Sequence, residues 1–115
     1  MPEFQPGDDL IFQLESGFGL LRVLAVDGEG AGAVWHLLAY DDFFPDVESA
    51  EAALAGPLPV RKAHMALTNR AFERTPAARL GNRPVRDDEL IEYRQWLDSE
   101  RVVSDRSALL MLGIR

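Results

Sequence analysis

The chain has 115 residues, 47% of them hydrophobic and 27% charged, with a formal net charge of −7 and no cysteine. This length predicts one domain over residues 1–115 with a core of its own, and the composition excludes a disordered chain. The missing cysteines exclude disulfides, thiolate nucleophiles and sulfur-ligated zinc, and they fit a reducing, cytoplasmic setting.

In chain order, "MPEFQPGDDL" lacks the basic and apolar blocks of a signal peptide, so none is expected. Pro6-Gly7 marks a turn. In "DDLIFQLE", Leu10, Phe12 and Leu14 share one face, while Asp9, Ile11, Gln13 and Glu15 form a mostly polar one. That alternation predicts a half-buried strand. Ser16-Gly17 predicts a tight hairpin. "FGLLRVLAVD" is apolar on both faces apart from Arg22 and predicts a central strand. The glycines of "DGEG" predict a second hairpin turn, and "AGAVWHLLAY" predicts a third strand.

In "YDDFFPD", residues 40–46, Tyr40 ends that strand, Pro45 breaks it and Asp46 caps a helix over 47–55 that stops at Gly56-Pro57. A fourth strand is predicted near 59–67. A helical turn at 70–74 follows; Pro76 and Pro84 argue against one long helix across this segment, and "LGNRP" signals a loop. "DDELIEYRQWLDSE" predicts an amphipathic helix capped by Asp87 or Asp88, with Leu90, Tyr93 and Leu97 on one stripe. The last segment predicts a short helix capped by Ser104 or Asp105 and stopped by Gly113, or else a closing strand Leu109–Ile114. Apolar runs such as "LLAY" and "ALLMLGI" are too short for a membrane helix, so no membrane is expected. The predicted class is α+β: an antiparallel meander sheet, or a partly open SH3-like barrel, with two or three helices packed on it.

The chemistry-bearing residues are few. "DGEGAG" spaces its glycines like a phosphate loop, but it lies between two strands and precedes no helix, so a hairpin is predicted. His36 and His64 each fall on a strand, and neither has a second histidine at metal-ligand spacing. They meet only if their strands are neighbours. No serine sits in a nucleophile elbow. Adjacent carboxylates at Asp8-Asp9 and Asp41-Asp42 point to opposite faces of a strand, and Asp87-Asp88 fits helix capping. No catalytic residue, metal ligand or cofactor is therefore assigned, and an enzyme is the disfavoured class.

Charge is segregated along the chain. Residues 1–56 carry −10 with Arg22 as their one cation, residues 57–86 carry +6, and residues 87–115 carry −3. The basic stretch offers Arg61, Lys62, Arg70, Arg74, Arg79 and Arg83 as an anion-binding set, with Phe72 as its one aromatic. The plainer reading pairs these cations with the acidic half of the same molecule.

The run "PGDDLIFQLESGFGLLRVLAVDGEG" combines Pro-Gly-Asp, an alternating strand, a Gly-aromatic-Gly hairpin and an apolar strand. It resembles the start of small SH3-like β-barrel proteins found among bacterial immunity proteins, the antidotes to secreted toxins. The resemblance spans about a quarter of the chain and assigns no functional residue.

Two function classes follow. The first is a non-enzymatic protein-binding module, of the immunity-antidote kind the resemblance implies. Its site would be Asp41, Asp42, Phe43 and Phe44, with exposed aromatics amid carboxylates facing a basic protein partner. The alternative is a nucleic-acid or anionic-ligand binder using the arginines of 61–86. The acidic balance of the whole chain disfavours nucleic acid. A homo-oligomer is open to either class, through pairing of acidic and basic segments between chains.

Overall fold

Ser16-Gly17 reverses the chain between two runs that pair residue for residue, with Leu14 opposite Gly17 and Asp9 opposite Arg22. In the computed structural model, which describes residues 4–113, these runs are β1 (Asp8–Leu14) and β2 (Gly17–Asp27). β3 (Val34–Tyr40), β4 (Val60–Thr68) and β5 (Ala77–Asn82) complete one open sheet in the order β4-β3-β2-β1-β5, antiparallel throughout. The meander of the first three strands, a fourth strand near 59–67 and the α+β class agree with the sequence reading, and the structure adds that β4 pairs with β3.

Four short helices cover the sheet: α1 (Val47–Ala53), α2 (Asn69–Glu73), α3 (Ile91–Leu97) and α4 (Ala108–Met111). The Asp46 carboxylate accepts from the Ser49 amide at 2.7 Å and starts α1 as predicted. Thr68 starts α2 in the same way through the Ala71 amide. Among the described residues no helix is long and apolar enough to cross a membrane.

The alternation of each strand sorts its side chains onto two cores. One face gathers Leu10, Phe12, Leu21, Val23, Leu37 and Leu67 under α2 and α4. The other gathers Ile11, Leu20, Leu24, Leu38 and Tyr40 under α1 and the 80–90 segment. Gly19 has no side chain because the Phe12 ring crosses it, 2.4 Å from where a Cβ would stand.

Several expectations are corrected. β1 is buried on both faces from Asp8 to Phe12, because a core packs on each side of it, and β5 pairs along its far edge. β5 takes in the first residues of "LGNRP", where the sequence signals a loop. The third strand begins at Val34, since residues 30–32 form a 3-10 turn. The 87–100 helix starts as a 3-10 turn, Asp87–Leu90, with Arg86 at its cap position rather than Asp87 or Asp88. Its helical part stops at Leu97. α4 is capped by Ser107, whose hydroxyl accepts from the Leu110 amide. Residues 108–111 are helical and Gly113 has φ +71°, so the closing strand does not form there; Ile114 lies outside the described residues. Ser104 is bonded instead to the edge of β4, donating to the Ala66 carbonyl and accepting from the Thr68 amide.

The one cation of the acidic half lies inside the second core. The Arg22 side chain is 1% exposed, and its guanidinium forks onto Glu89 at 2.6 and 3.2 Å. Its remaining N–H groups donate to Asp9 and to the carbonyls of Gly7, Arg83 and Pro84, at 2.9 to 3.2 Å. Asp9 also accepts both arms of Arg83. Gly7 is needed here: its φ is +93°, and a Cβ would stand 2.4 Å from the Arg83 carbonyl.

Removing one partner from such a buried network leaves the others desolvated and unpaired. Arg22→Lys keeps the charge but loses the planar fork. It is expected to lower unfolding free energy by about 3 kcal/mol in urea denaturation. An unchanged midpoint would show that the network contributes nothing specific.

Candidate functional site

The pairing of β3 with β4 sets His36 opposite Ala66, so His64 is its diagonal neighbour across the strands. The two rings meet: His36 Nδ1 lies 2.9 Å from His64 Nε2. On its other side His36 Nε2 lies 2.8 Å from the carboxylate of Asp27, the last residue of β2. A carboxylate only accepts, so His36 carries its proton on Nε2 and accepts from His64 through Nδ1. Tyr93 of α3 donates its hydroxyl to the same carboxylate at 3.0 Å. Tyr93 and Trp96, three residues apart on α3, set their rings 4.5 and 4.6 Å from the His36 ring. Trp96 is fixed in turn by donating to the Val102 carbonyl.

His36 is fully buried, whereas His64 lines an open groove with Val60, Lys62, Gln95, Trp96 and Ser99. Burial pushes the His64 pKa down to about 4, helped by the charges of His36 and Lys62. Burial also lowers His36, against the opposing pull of Asp27. At neutral pH the two imidazoles are therefore uncharged, and the chain Asp27–His36–His64 is a proton-relay geometry ending at the groove. Ser99 is not poised as a nucleophile, since its hydroxyl donates to the Trp96 carbonyl at 2.7 Å. Among the described residues no group of three or more His, Asp or Glu side chains is placed to hold a metal ion. The sequence pointed to both histidines but not to Asp27, Tyr93 or Trp96, which only the strand register and the docking of α3 bring in.

The two phenylalanines of residues 43 and 44 part company. Phe44 exchanges two backbone hydrogen bonds with Phe18 of β2, both at 2.8 Å, and packs on the second core. Residues 41–43 thus bulge out between Tyr40 of β3 and this bridge. Asp41 and Asp42 face water, and Phe43 is 47% exposed. The loop sits beside the start of β4, where the Asp41 amide donates to the Pro59 carbonyl.

The cations of 61–83 are held in separate places. Arg61 donates to the Leu112 carbonyl and lies 3.9 Å from Asp41. Arg70 pairs with Asp105, whose carbonyl accepts from Arg74. Arg79 bonds Asp8 at 3.0 Å, and Arg83 bonds Asp9 at 2.8 Å. Lys62 lines the histidine groove. The basic stretch thus meets carboxylates of both flanking segments, and the segregation seen in sequence largely cancels in space.

The histidine groove continues past Val60 and Ala63 into a second hollow, where Leu58, Tyr40 and Ile91 supply apolar surface and Arg86, Asp88 and Glu92 the charge. No known family model, curated protein or solved structure matches this chain.

His64 also sets a pH dependence. Unfolded, it takes up a proton near pH 6.5; folded, it does so only near 4. Stability is therefore expected to fall as pH drops through that window and to be flat above it, with His36 acting in the same sense. His64→Gln should remove on the order of 2 kcal/mol of this decline, measured by urea unfolding between the two pH values. Equal slopes in the variant and the parent would refute the assignment.

Proposed function

We propose that the protein is a protein-binding module, and that its contact face joins the 41–43 loop to the start of β4 and the outer side of α3. The observation that carries this reading is the outward turn of Phe43 while its neighbour Phe44 turns inward. A large aromatic half-exposed on a loop, with carboxylates at 41, 42 and 46 around it, has the character of an interface anchor. Val60 and Ile91 are further large apolar side chains exposed in this region.

Exposed carboxylates at Asp41, Asp42, Asp46, Asp88 and Glu92 outnumber the cations Arg61, Lys62 and Arg86, so the complementary partner is basic. The resemblance of residues 6–30 to immunity proteins gives the reading its specific form, an antidote that covers a toxin. The arginine-based alternative has less support, because most of those guanidinium groups are already engaged by carboxylates or carbonyls of the chain.

Affinity capture from the native cell tests this. One protein should be recovered in constant ratio to the bait, with binding weakened by salt. Phe43→Ala should cost tenfold or more in affinity, roughly 1.4 kcal/mol or above, with the fold intact by circular dichroism. Asp41→Asn with Asp42→Asn should chiefly slow association. Unaltered capture by both variants would move the interface elsewhere.

A further inference from the structure

The other face of the sheet holds a cavity of about 440 Å³ beside α2, separate from the groove and from the 41–43 loop. Three aromatic rings line it. Trp35 of β3 and Phe72 of α2 stack with centroids 4.3 Å apart and planes at 20°. Phe4 meets Phe72 edge-on at 5.8 Å. The Trp35 ring is locked, because its indole N–H donates to Asn69 Oδ1 at 2.9 Å. Asn69 in turn donates to one oxygen of Glu73, 3.1 Å away, which fixes that carboxylate at the cavity.

Two features of this cavity go beyond core packing. Glu73 is the one charged residue among the described residues that line it. The cations flanking it in sequence, Arg70 and Arg74, are drawn off to Asp105. Thr75, also a lining residue, is only 4% exposed, and its hydroxyl has no hydrogen-bond partner among the described residues. A buried hydroxyl without a partner costs stability, and a native fold rarely keeps one without use.

From these features we propose that the cavity is a binding site for a small organic cation carrying an alkylated ammonium group and a hydroxyl. Aromatic faces present the negative side of their quadrupole to such a group, and a carboxylate at the rim adds the countercharge. The volume lies within the range of small-ligand sites, and the lining has their usual form: mostly apolar, with a few fixed polar groups. An anion would meet the Glu73 carboxylate with the wrong sign. A neutral molecule would leave the carboxylate unused. The proposal does not rest on the protein-binding reading, whose residues lie on other elements.

Choline is the probe, and 3,3-dimethylbutan-1-ol is its neutral isostere with the same hydroxyl. Both are titrated into the isotope-labelled full chain while the Trp35 indole N–H signal is followed by NMR. The Trp96 indole, bonded to Val102 on the opposite face, is the internal control. The expected result is a saturable shift at Trp35 with choline, at about millimolar affinity, and binding of the isostere at least about tenfold weaker. Glu73 is exposed, so Glu73→Gln should keep the fold while weakening choline about fivefold. No saturable shift, equal affinity for the isostere, or an unchanged constant in Glu73→Gln would each overturn the proposal.

Discussion

The buried guanidinium of Arg22 is the constraint on which the rest of the arrangement depends. It lies at the centre of β2, the middle strand, and can be satisfied only when the Gly7 turn, Asp9 of β1, the carbonyls of residues 83 and 84 and Glu89 all converge. Those groups come from distant parts of the chain. Replacing such an ion cluster with apolar side chains is often neutral or favourable in energy. What the charged version adds is uniqueness of assembly. Slipping β1 by one residue would turn Asp9 to the wrong face and strand the guanidinium.

Through Glu89 this constraint extends to the histidine groove. Glu89 lies two residues before α3 and also accepts from the Arg86 amide, so it fixes where the helix begins. Burial alone would push its carboxyl upward, but the Arg22 fork and the Arg86 amide outweigh that and hold it below the usual range. One turn further on, Tyr93 and Trp96 close over His36. The groove is thus set from below by strand register and from above by a helix whose start is anchored in the ion cluster.

Much of the fold was legible in the sequence because β1 to β4 and α1 follow simple rules of alternation, turn residues and caps. β5 escaped because "AARLGN" has neither β-branched nor aromatic residues and lies between Pro76 and Pro84. It is a strand because β1 offers it an edge, a tertiary effect that local preference does not report. The mostly polar face of β1 misled for a related reason: Asp9 is buried because Arg22 and Arg83 come to meet it. The candidate site was legible in part. His36 and His64 stood out, but their contact required the pairing of β3 with β4. The separate fates of Phe43 and Phe44 turn on a bulge of residues 41–43 that breaks the alternation.

The bond between Ser104 and the edge of β4 has a mechanical consequence. α3 lies on one face of the sheet and α4 on the other, so residues 98–107 must pass around that edge. Arg101, with φ +55°, turns the chain there, and Ser104 fastens it between Ala66 and Thr68. The segment acts as a belt, buckled to the strand edge by Ser104 and held beside it by Asp105, which accepts from Thr68 and pairs with Arg70. Releasing it slackens the coverings of both faces together and bares a strand edge that would otherwise invite other chains.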